Sequence, residues 1–253
     1  MHIDINCDLG EGYGAYRMGE DREIIGVISS ANIACGFHAG DPQVMARTVR
    51  LARDHGVAVG AHPGFPDLLG FGRRNLACSF EEIEAYLTYQ IGALQAFCTA
   101  LQCRLHHVKP HGALYNMAVG NEELVRSMAK TIARIDDSLI LVLLAGSDNT
   151  RMAALAAEEG VTAVFEAFPD RAYTAGGTLV SRQHPAAVIH DPEQVAARAV
   201  RMVTHGVVQT IDGPEIGLHA QTLCVHGDHP HSVQIANSIR HHLEAAGVTI
   251  RSM

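Results

Sequence analysis

Lysine is scarce in this chain of 253 residues: Lys109 and Lys130 are the two examples, and the other 17 basic residues are arginine. With 27 acidic residues and a formal net charge of −8, the chain lacks the basic face that nucleic-acid binding requires. It also lacks the Lys/Arg-rich run of a helix that lies on a membrane surface. The composition therefore argues against nucleic acid and membrane as partners, and a lysine that ends an apolar stretch, as Lys109 does, needs an explanation.

Two further absences bear on the cell compartment. The six cysteines include no Cys-x-x-Cys pair, which argues against a zinc ribbon or a thioredoxin-like motif, and we expect them to be reduced. The N-terminus has no basic n-region and no apolar h-region, so we expect no secretory signal and a cytoplasmic location. The most apolar run, residues 139–145, is too short to cross a bilayer.

Three nucleotide or nucleophile motifs are also missing. No Gly-x-x-x-x-Gly-Lys-[Ser/Thr] occurs, which excludes a P-loop, and no Gly-x-Ser-x-Gly occurs, which argues against an esterase-type serine. No dinucleotide fingerprint follows the first strand, so an open Rossmann sheet is disfavoured.

The pattern that is present is a strand, a polar glycine-containing loop and an amphipathic helix, repeated along the chain. It predicts helices over residues 42–55, 80–102, 122–135, 149–158, 192–205 and 232–246. It predicts strands over residues 3–7, 31–35, 57–61, 105–109, 139–144, 162–167, 178–181 and 222–226. Such alternation favours a parallel sheet, and we predict a single α/β barrel domain over residues 1–253. Residues 168–188 are predicted to be a long loop or hairpin over one rim.

Polar residues collect after the predicted strands, at the end where the active sites of parallel barrels lie. The turns that lead from helices back into strands, at residues 54–56, 158–160 and 245–247, contain plain helix stops instead. One rim is therefore the candidate site. Its candidate residues are Asn6, Asp8, Glu11, Gly36, His38, His62, Arg73, Arg74, Lys109, His111, Gly112, Tyr115, Glu166, Arg171, His226 and Asp228.

Residue chemistry suggests roles for some of them. Asp8, His38 and His62 suit either a divalent metal site or a general-base network, and the sequence leaves both open. Lys109 suits a phosphate or a developing oxyanion. Asp4, Asn6 and Asp8 alternate along one strand, so their side chains share one face of it. If that face is the barrel interior, Asp8 lies nearest the rim, and Asp4 lies deepest and is expected to be a structural, paired carboxylate.

The loops offer groups that bind anions. Gly36 and Gly112 would let ligand oxygens approach backbone N–H groups at helix N-termini. Arg73, Arg74 and Arg171 are expected to be mobile-loop guanidiniums that bind a substrate carboxylate or phosphate.

Seven blocks in order resemble the LamB/YcsF family, whose members are identified with the A-type subunit of prokaryotic 5-oxoprolinase. The first contains Asn6-Cys7-Asp8-Leu9-Gly10-Glu11-Gly12, and the second contains Gly36-Phe37-His38-Ala39-Gly40-Asp41. Together the blocks cover residues 4–12, 31–42, 60–67, 70–74, 108–115, 170–173 and 224–228.

This resemblance implies an irregular (β/α)7 TIM-like barrel similar to the glycoside hydrolase/deacetylase superfamily. It implies ATP-dependent opening of 5-oxo-L-proline to L-glutamate, with ADP and phosphate as by-products, in a complex with separately encoded subunits B and C. ATP with Mg²⁺ is then expected, and whether a transition metal binds stays open. Two alternatives remain: a stand-alone metal-dependent deacetylase or amidohydrolase, and a non-catalytic binding subunit of the complex.

Overall fold

The computed structural model describes residues 1–225 and 232–253. In these residues the strands are β1 (His2–Leu9), β2 (Ser30–Ala34), β3 (Ala58–His62), β4 (Leu105–Val108), β5 (Ile140–Leu144), β6 (Thr162–Ala167), β7 (Val207–Gln209), β8 (Glu215–Gly217), β9 (Thr222–Val225) and β10 (Thr249–Ile250). The helices are α1 (Asp21–Ile24), α2 (Pro42–Asp54), α3 (Phe80–Ala100), α4 (Gly112–Met117), α5 (Glu122–Ile135), α6 (Asn149–Glu158), α7 (Pro192–His205) and α8 (Ser232–Ala245).

The central sheet is a closed parallel barrel. Its strands run in the order β1-β2-β3-β4-β5-β6-β9, and β9 pairs with β1 to close the ring. The short strand β10 adds to the start of β1, opposite His2 and Ile3, before β9 takes over the same edge. The predicted irregular seven-stranded barrel is confirmed.

Helix starts follow the cap residues in the sequence. The Asp41 carboxylate accepts hydrogen bonds from the backbone N–H groups of Gln43 and Val44, and at α7 the Asp191 carboxylate accepts one from that of Gln194. Ser79 and Glu82 form a reciprocal capping box at α3. Among the helices that the structure describes, none combines the length and apolar character needed to cross a bilayer.

The segment between β6 and α7 is the long loop predicted over residues 168–188, but one strand predicted within it is absent. The strand predicted over residues 178–181 is wrong, because Leu179 makes one isolated bridge to Tyr173 and no ladder follows. The turn at Gly176-Gly177 interrupts any longer pairing. The hairpin of β7 and β8 was not predicted, since three-residue strands are too short to show an alternating pattern.

The barrel interior is polar on the β1 side. Asp4, Asn6 and Asp8 alternate with the buried apolar residues of β1 and point to one face. Asp4 is the deepest, and its carboxylate accepts hydrogen bonds from the hydroxyls of Ser29, Ser30 and Thr222. The interior therefore begins with a carboxylate that is buried but fully paired.

We expect Asp4 to make stability depend on pH. Burial, with a smaller contribution from Glu166, raises the pKa of Asp4 from 3.8 to about 6 even though three hydroxyls donate to it. The folded state thus binds this proton more tightly than the unfolded chain, so the stabilisation present below pH ~4 is lost as the pH rises through ~6.

Asp4→Asn removes this titration, so the variant should gain about 2–3 kcal/mol relative to the native chain between pH 4 and pH 7. Urea unfolding of both proteins at each pH measures the difference. Parallel stability curves would contradict the assignment.

Candidate active site

A cavity of about 550 Å³ lies at the end of the barrel where the carboxyl ends of the strands meet. Residues 178–183, from the irregular segment after β6, complete its lining. Its volume is in the range of small-molecule sites. The candidate residues that line it are Asp8, Glu11, His62, Arg73, Lys109, His111, Gly112, Tyr115 and Arg171.

Lys109 lies at the cavity floor, just beyond β4, and is 3% exposed. Its Nζ is 2.9 Å from Asp8 Oδ1 and 2.8 Å from Glu166 Oε1. Burial alone would lower the pKa of Lys109, but the charges around it, Asp8 first, hold the pKa well above its usual value. The floor therefore presents a fixed ammonium group between two carboxylates.

Asp8 joins this ammonium group to the imidazole of His62. Its Oδ2 is 3.2 Å from His62 Nε2, and its Oδ1 accepts a hydrogen bond from Asn32 Nδ2 at 2.8 Å. Burial alone would raise the pKa of Asp8, but His62 and Lys109 hold it well below its usual value. Asp8 is therefore an ionised carboxylate beside a histidine, as a general base requires.

A hydrogen-bonded chain beneath the floor positions Lys109 and Asp8. Asn32 Nδ2 donates to Asn6 Oδ1 at 2.7 Å, and Lys109 Nζ is 3.3 Å from the same oxygen. His107 Nε2 lies 2.7 Å from Asn32 Oδ1, and because a carbonyl oxygen can only accept, this nitrogen carries the proton. Asn32 and His107 were not predicted as site residues, although His107 shares its strand parity with Lys109.

Two imidazoles at the rim have their protons assigned by backbone carbonyl groups. His62 Nδ1 is 2.7 Å from the Lys109 carbonyl oxygen, and His111 Nε2 is 2.8 Å from that of Phe71. Since these oxygens only accept, each nitrogen donates. The remaining nitrogens, His62 Nε2 and His111 Nδ1, face each other at 2.9 Å.

His38 lies behind this pair and is fully buried. Its ring stacks on that of His111, with the centroids 3.7 Å apart and the planes 6° from parallel. Burial, and next the neighbouring imidazoles, lower the pKa of His38 well below its usual value, and burial lowers the pKa of His111 to about 3. Both rings are therefore neutral, because a positive charge on either ring would be buried and close to the other imidazole.

Glu166 and Tyr115 close the side of the floor next to β6. The Tyr115 hydroxyl donates to Glu166 Oε2 at 2.8 Å, and burial raises the pKa of that hydroxyl well above its usual value. Cys224 Sγ is 3.2 Å from Lys109 Nζ, and burial raises the pKa of this thiol. A tyrosine and a cysteine that stay protonated here complete the surroundings of the ammonium group.

The predicted arginines have different positions. Arg73 lines the cavity, with Cζ 4.9 Å from the centroid of the Phe71 ring. The expectation that Arg171 is a mobile guanidinium is wrong: it is 6% exposed and donates to the Val180 and Ala187 carbonyl groups, so it holds the irregular segment. Arg74 pairs with Asp67 and is absent from the described cavity lining.

The remaining candidates are Gly36, Gly112, His226 and Asp228. Gly112 lines the cavity with φ +56°, and a Cβ there would come within 2.6 Å of the Gly72 carbonyl oxygen, so the close approach of two loops requires glycine. Gly36, with φ +94°, turns the chain after β2. His226 and Asp228 lie outside the described residues. The exposed Arg182, which was not predicted, also lines the cavity.

The chain matches the sequence model of the LamB/YcsF family over residues 3–253. It is 53% identical over 253 residues to the A-type subunit of 5-oxoprolinase from Syntrophobacter fumaroxidans, an alignment that covers 100% of this chain and 99% of the relative. The corresponding Thermus thermophilus protein is 51% identical over 252 residues, with 100% of both chains covered.

Solved structures agree with the fold. The crystal structure of the lactam utilization protein from Thermus thermophilus superposes with a TM-score of 0.92, at 50% identity and with 100% of both chains covered. A putative cellobiose-phosphate cleavage protein from Enterococcus faecalis superposes with a TM-score of 0.57 at 13% identity, covering 99% of this chain and 97% of that one. The latter likeness concerns the barrel alone.

Proposed function

Because this chain belongs to the LamB/YcsF family, we propose that it acts in 5-oxoprolinase, where 5-oxo-L-proline is opened to L-glutamate with conversion of ATP to ADP and phosphate. The observation that carries the proposal is the buried ammonium group of Lys109 at the floor of a cavity, beside the carboxylate–imidazole pair of Asp8 and His62. These groups suit attack on a carbonyl or phosphorylated carbonyl carbon.

The need for ATP follows from the chemistry of the substrate. A five-membered lactam has no strain to drive its hydrolysis, and its amide nitrogen is a poor leaving group. Transfer of a phosphoryl group from ATP to the lactam oxygen makes the carbon electrophilic, and water can then add to it. The C–N bond breaks as the nitrogen takes up a proton, and hydrolysis of the resulting acyl phosphate releases phosphate and L-glutamate. A fixed cation near the lactam oxygen stabilises the negative charge that develops there, and Lys109 is the residue proposed for this role.

Asp8 and His62 are proposed to handle the proton of the attacking water. The Lys109 carbonyl group fixes His62 Nδ1 as a donor, which directs Nε2 toward Asp8 Oδ2 at 3.2 Å. The pKa of Asp8, held low by His62 and Lys109, keeps this carboxylate ionised near neutral pH. Asp8 can then orient or deprotonate a water molecule above the floor.

Arg73 and Arg182 are proposed to bind the anionic ends of the substrates. Both line the cavity beyond the floor, whereas Lys109 is enclosed by carboxylates. A guanidinium group matches a carboxylate or a phosphate in shape and charge. ATP would bring Mg²⁺ as its counter-ion, and partner subunits B and C would complete the enzyme. A nucleotide-dependent reaction also fits the cytoplasmic location expected from the sequence.

The proposal is tested by combining the purified chain with its B and C subunits and measuring glutamate and ADP formation from 5-oxo-L-proline. We expect turnover that requires ATP and all three chains. Turnover by this chain alone without ATP would instead indicate a stand-alone hydrolase. Full activity of the complex with Asp8→Asn would indicate a non-catalytic binding subunit.

Replacing the cavity arginines should weaken substrate binding more than turnover. Arg73→Gln and Arg182→Gln each remove a charged hydrogen-bond donor, so KM for the lactam or for ATP should rise about tenfold or more. Arg151→Gln is the matched control, because Arg151 lies on α6 and pairs with Glu122 at the surface. Steady-state kinetics with each substrate varied in turn measures the effect. Unchanged KM values for both substrates would remove these residues from the binding site.

A further inference from the structure

Three imidazoles and one carboxylate converge beside the floor of the cavity. Glu11 follows β1, His38 follows β2, His62 ends β3 and His111 follows β4. One side-chain nitrogen or oxygen from each lies within 4.8 Å of all the others. The proposed lactam reaction uses His62 alone among these four, so the cluster requires a separate explanation.

Two imidazole nitrogens of this cluster face each other. Since His62 Nδ1 and His111 Nε2 donate to backbone carbonyl groups, His62 Nε2 and His111 Nδ1 are the two nitrogens whose lone pairs can bind an ion. These lone pairs face each other at 2.9 Å, where two acceptors repel unless a cation or a proton lies between them. Metal-binding histidines in proteins commonly donate their other ring N–H in this way.

His38 adds an unsatisfied buried group. Neither of its ring nitrogens has a hydrogen-bond partner within residues 1–225 and 232–253, although the side chain is fully buried. Its Nε2 is 3.5 Å from Glu11 Oε1. Leaving a buried polar group unpaired costs about 1–3 kcal/mol, and a bound cation would remove that cost.

We propose that Glu11, His38, His62 and His111 bind one divalent transition-metal ion. Four ligands at tetrahedral positions about such an ion are roughly 3.3 Å apart. Three of the six separations bracket that value: 2.9 Å between His62 and His111, 3.5 Å between His38 and Glu11, and 3.8 Å between His111 and Glu11. All six lie within 4.8 Å, so binding requires the side chains to draw in by about an ångström at most.

The donor set selects the class of metal. Three imidazole nitrogens and one carboxylate oxygen suit Zn²⁺, Co²⁺ and similar ions, whereas Mg²⁺ and Ca²⁺ prefer oxygen ligands alone. This ion is therefore distinct from any Mg²⁺ that accompanies ATP. At this position it would adjoin Asp8 and act as a Lewis acid toward a carbonyl or phosphoryl oxygen in the cavity. With the ion bound, His62 Nε2 would be a ligand, and Asp8 alone would handle the proton of the attacking water.

The surroundings of the cluster fit a preformed metal site. A Cβ on Gly64 would lie 2.9 Å from His38 Nδ1, and one on Gly72 would lie 2.7 Å from His38 Cβ. These two glycines therefore allow the backbone to hold the stacked rings closely. Glu11, His62 and His111 line the cavity, which gives an ion a route from solvent.

The test is metal binding by the full chain, without an affinity tag and after treatment with chelator. Zn²⁺ should bind at one equivalent by calorimetry, and Co²⁺ should give the visible absorption of a four-coordinate ion. Glu11→Gln and His38→Gln should each weaken binding by about a hundredfold or more. His55→Gln, at the exposed end of α2, should bind like the native chain.

The readout does not depend on lactam turnover, so the metal site and the proposed reaction can fail independently. Thermal unfolding of the metal-free variants shows whether each one folds. If His38→Gln does not fold, Glu11→Gln still tests the site, because Glu11 lies at a half-buried loop position. The proposal would be overturned if the native chain bound no equivalent of Zn²⁺, or if both variants bound Zn²⁺ as tightly as the native chain. A proton shared by His62 and His111 would then explain their short separation.

Discussion

Lys109→Met should abolish ATP-coupled opening of the lactam, with turnover reduced by at least about a hundredfold in the reconstituted complex. The ammonium group lies within 3 Å of both Asp8 and Glu166, so its removal also leaves the buried Glu166 and the half-buried Asp8 without this cation. Breaking a buried ion pair in this way costs about 3–5 kcal/mol, and the variant should be correspondingly less stable. Product formation and urea unfolding measure the two effects.

The chain offers a matched control for this substitution in Lys130, its other lysine, which is exposed on α5. Lys130→Met should leave turnover and stability unchanged. A double variant, Lys109→Met with Glu166→Gln, removes one of the stranded charges and should regain part of the lost stability without regaining activity. Full turnover of Lys109→Met would exclude the catalytic role.

Gly60→Ala should destabilise the barrel by about 3 kcal/mol or more. Gly60 lies in β3 opposite His107 of β4, and a Cβ there would be 2.0 Å from His107 Nε2. The imidazole is fully buried and hydrogen-bonded to Asn32, so it cannot move away without breaking that bond. Because Asn32 also donates to Asp8, activity should fall together with stability.

Two comparisons separate this clash from a general effect of the substitution. Gly92 lies inside α3 with no atom within 4 Å of an added Cβ, so Gly92→Ala should stabilise by about 0.5–1 kcal/mol through helix propensity. In a His107→Ala background the ring is gone, and Gly60→Ala should then cost little. Equal costs of Gly60→Ala in the two backgrounds would refute the steric explanation.

Residues on strands were the most predictable part of this site. The alternation of Asp4, Asn6 and Asp8 along β1 predicted one shared face, and the position of Lys109 at the end of its strand predicted the same rim as Asp8, where the two side chains meet. His107 was missed because it adjoins His106, and of two adjacent histidines in a strand one points inward. Its shared parity with Lys109 was the signal that could have identified it.

Residues on loops were less predictable, because no periodicity determines where a loop side chain points. Arg171 was expected in a mobile loop, yet its guanidinium group is buried and donates to the carbonyl groups of Val180, in the stretch predicted as a strand, and of Ala187. The approach of Glu11 and His111 to His38 depends on tight turns at glycines such as Gly72, which no alternating pattern reveals. The sequence could indicate the rim, but the packing of its loops decides which residues meet.

The two sides of the cavity differ in how firmly they are held. At the floor, Lys109 and His62 are buried and tied to neighbouring strands, whereas Ser181, Arg182 and Gln183 line the cavity from an exposed, irregular segment. A substrate would therefore contact two different kinds of surface. In the proposed reaction, the amide would meet buried groups held by neighbouring strands, while the far end of the molecule would meet exposed side chains. Changes of substrate preference within this architecture are accordingly expected from residues 181–183, because these side chains are exposed and can be altered without changing the buried core.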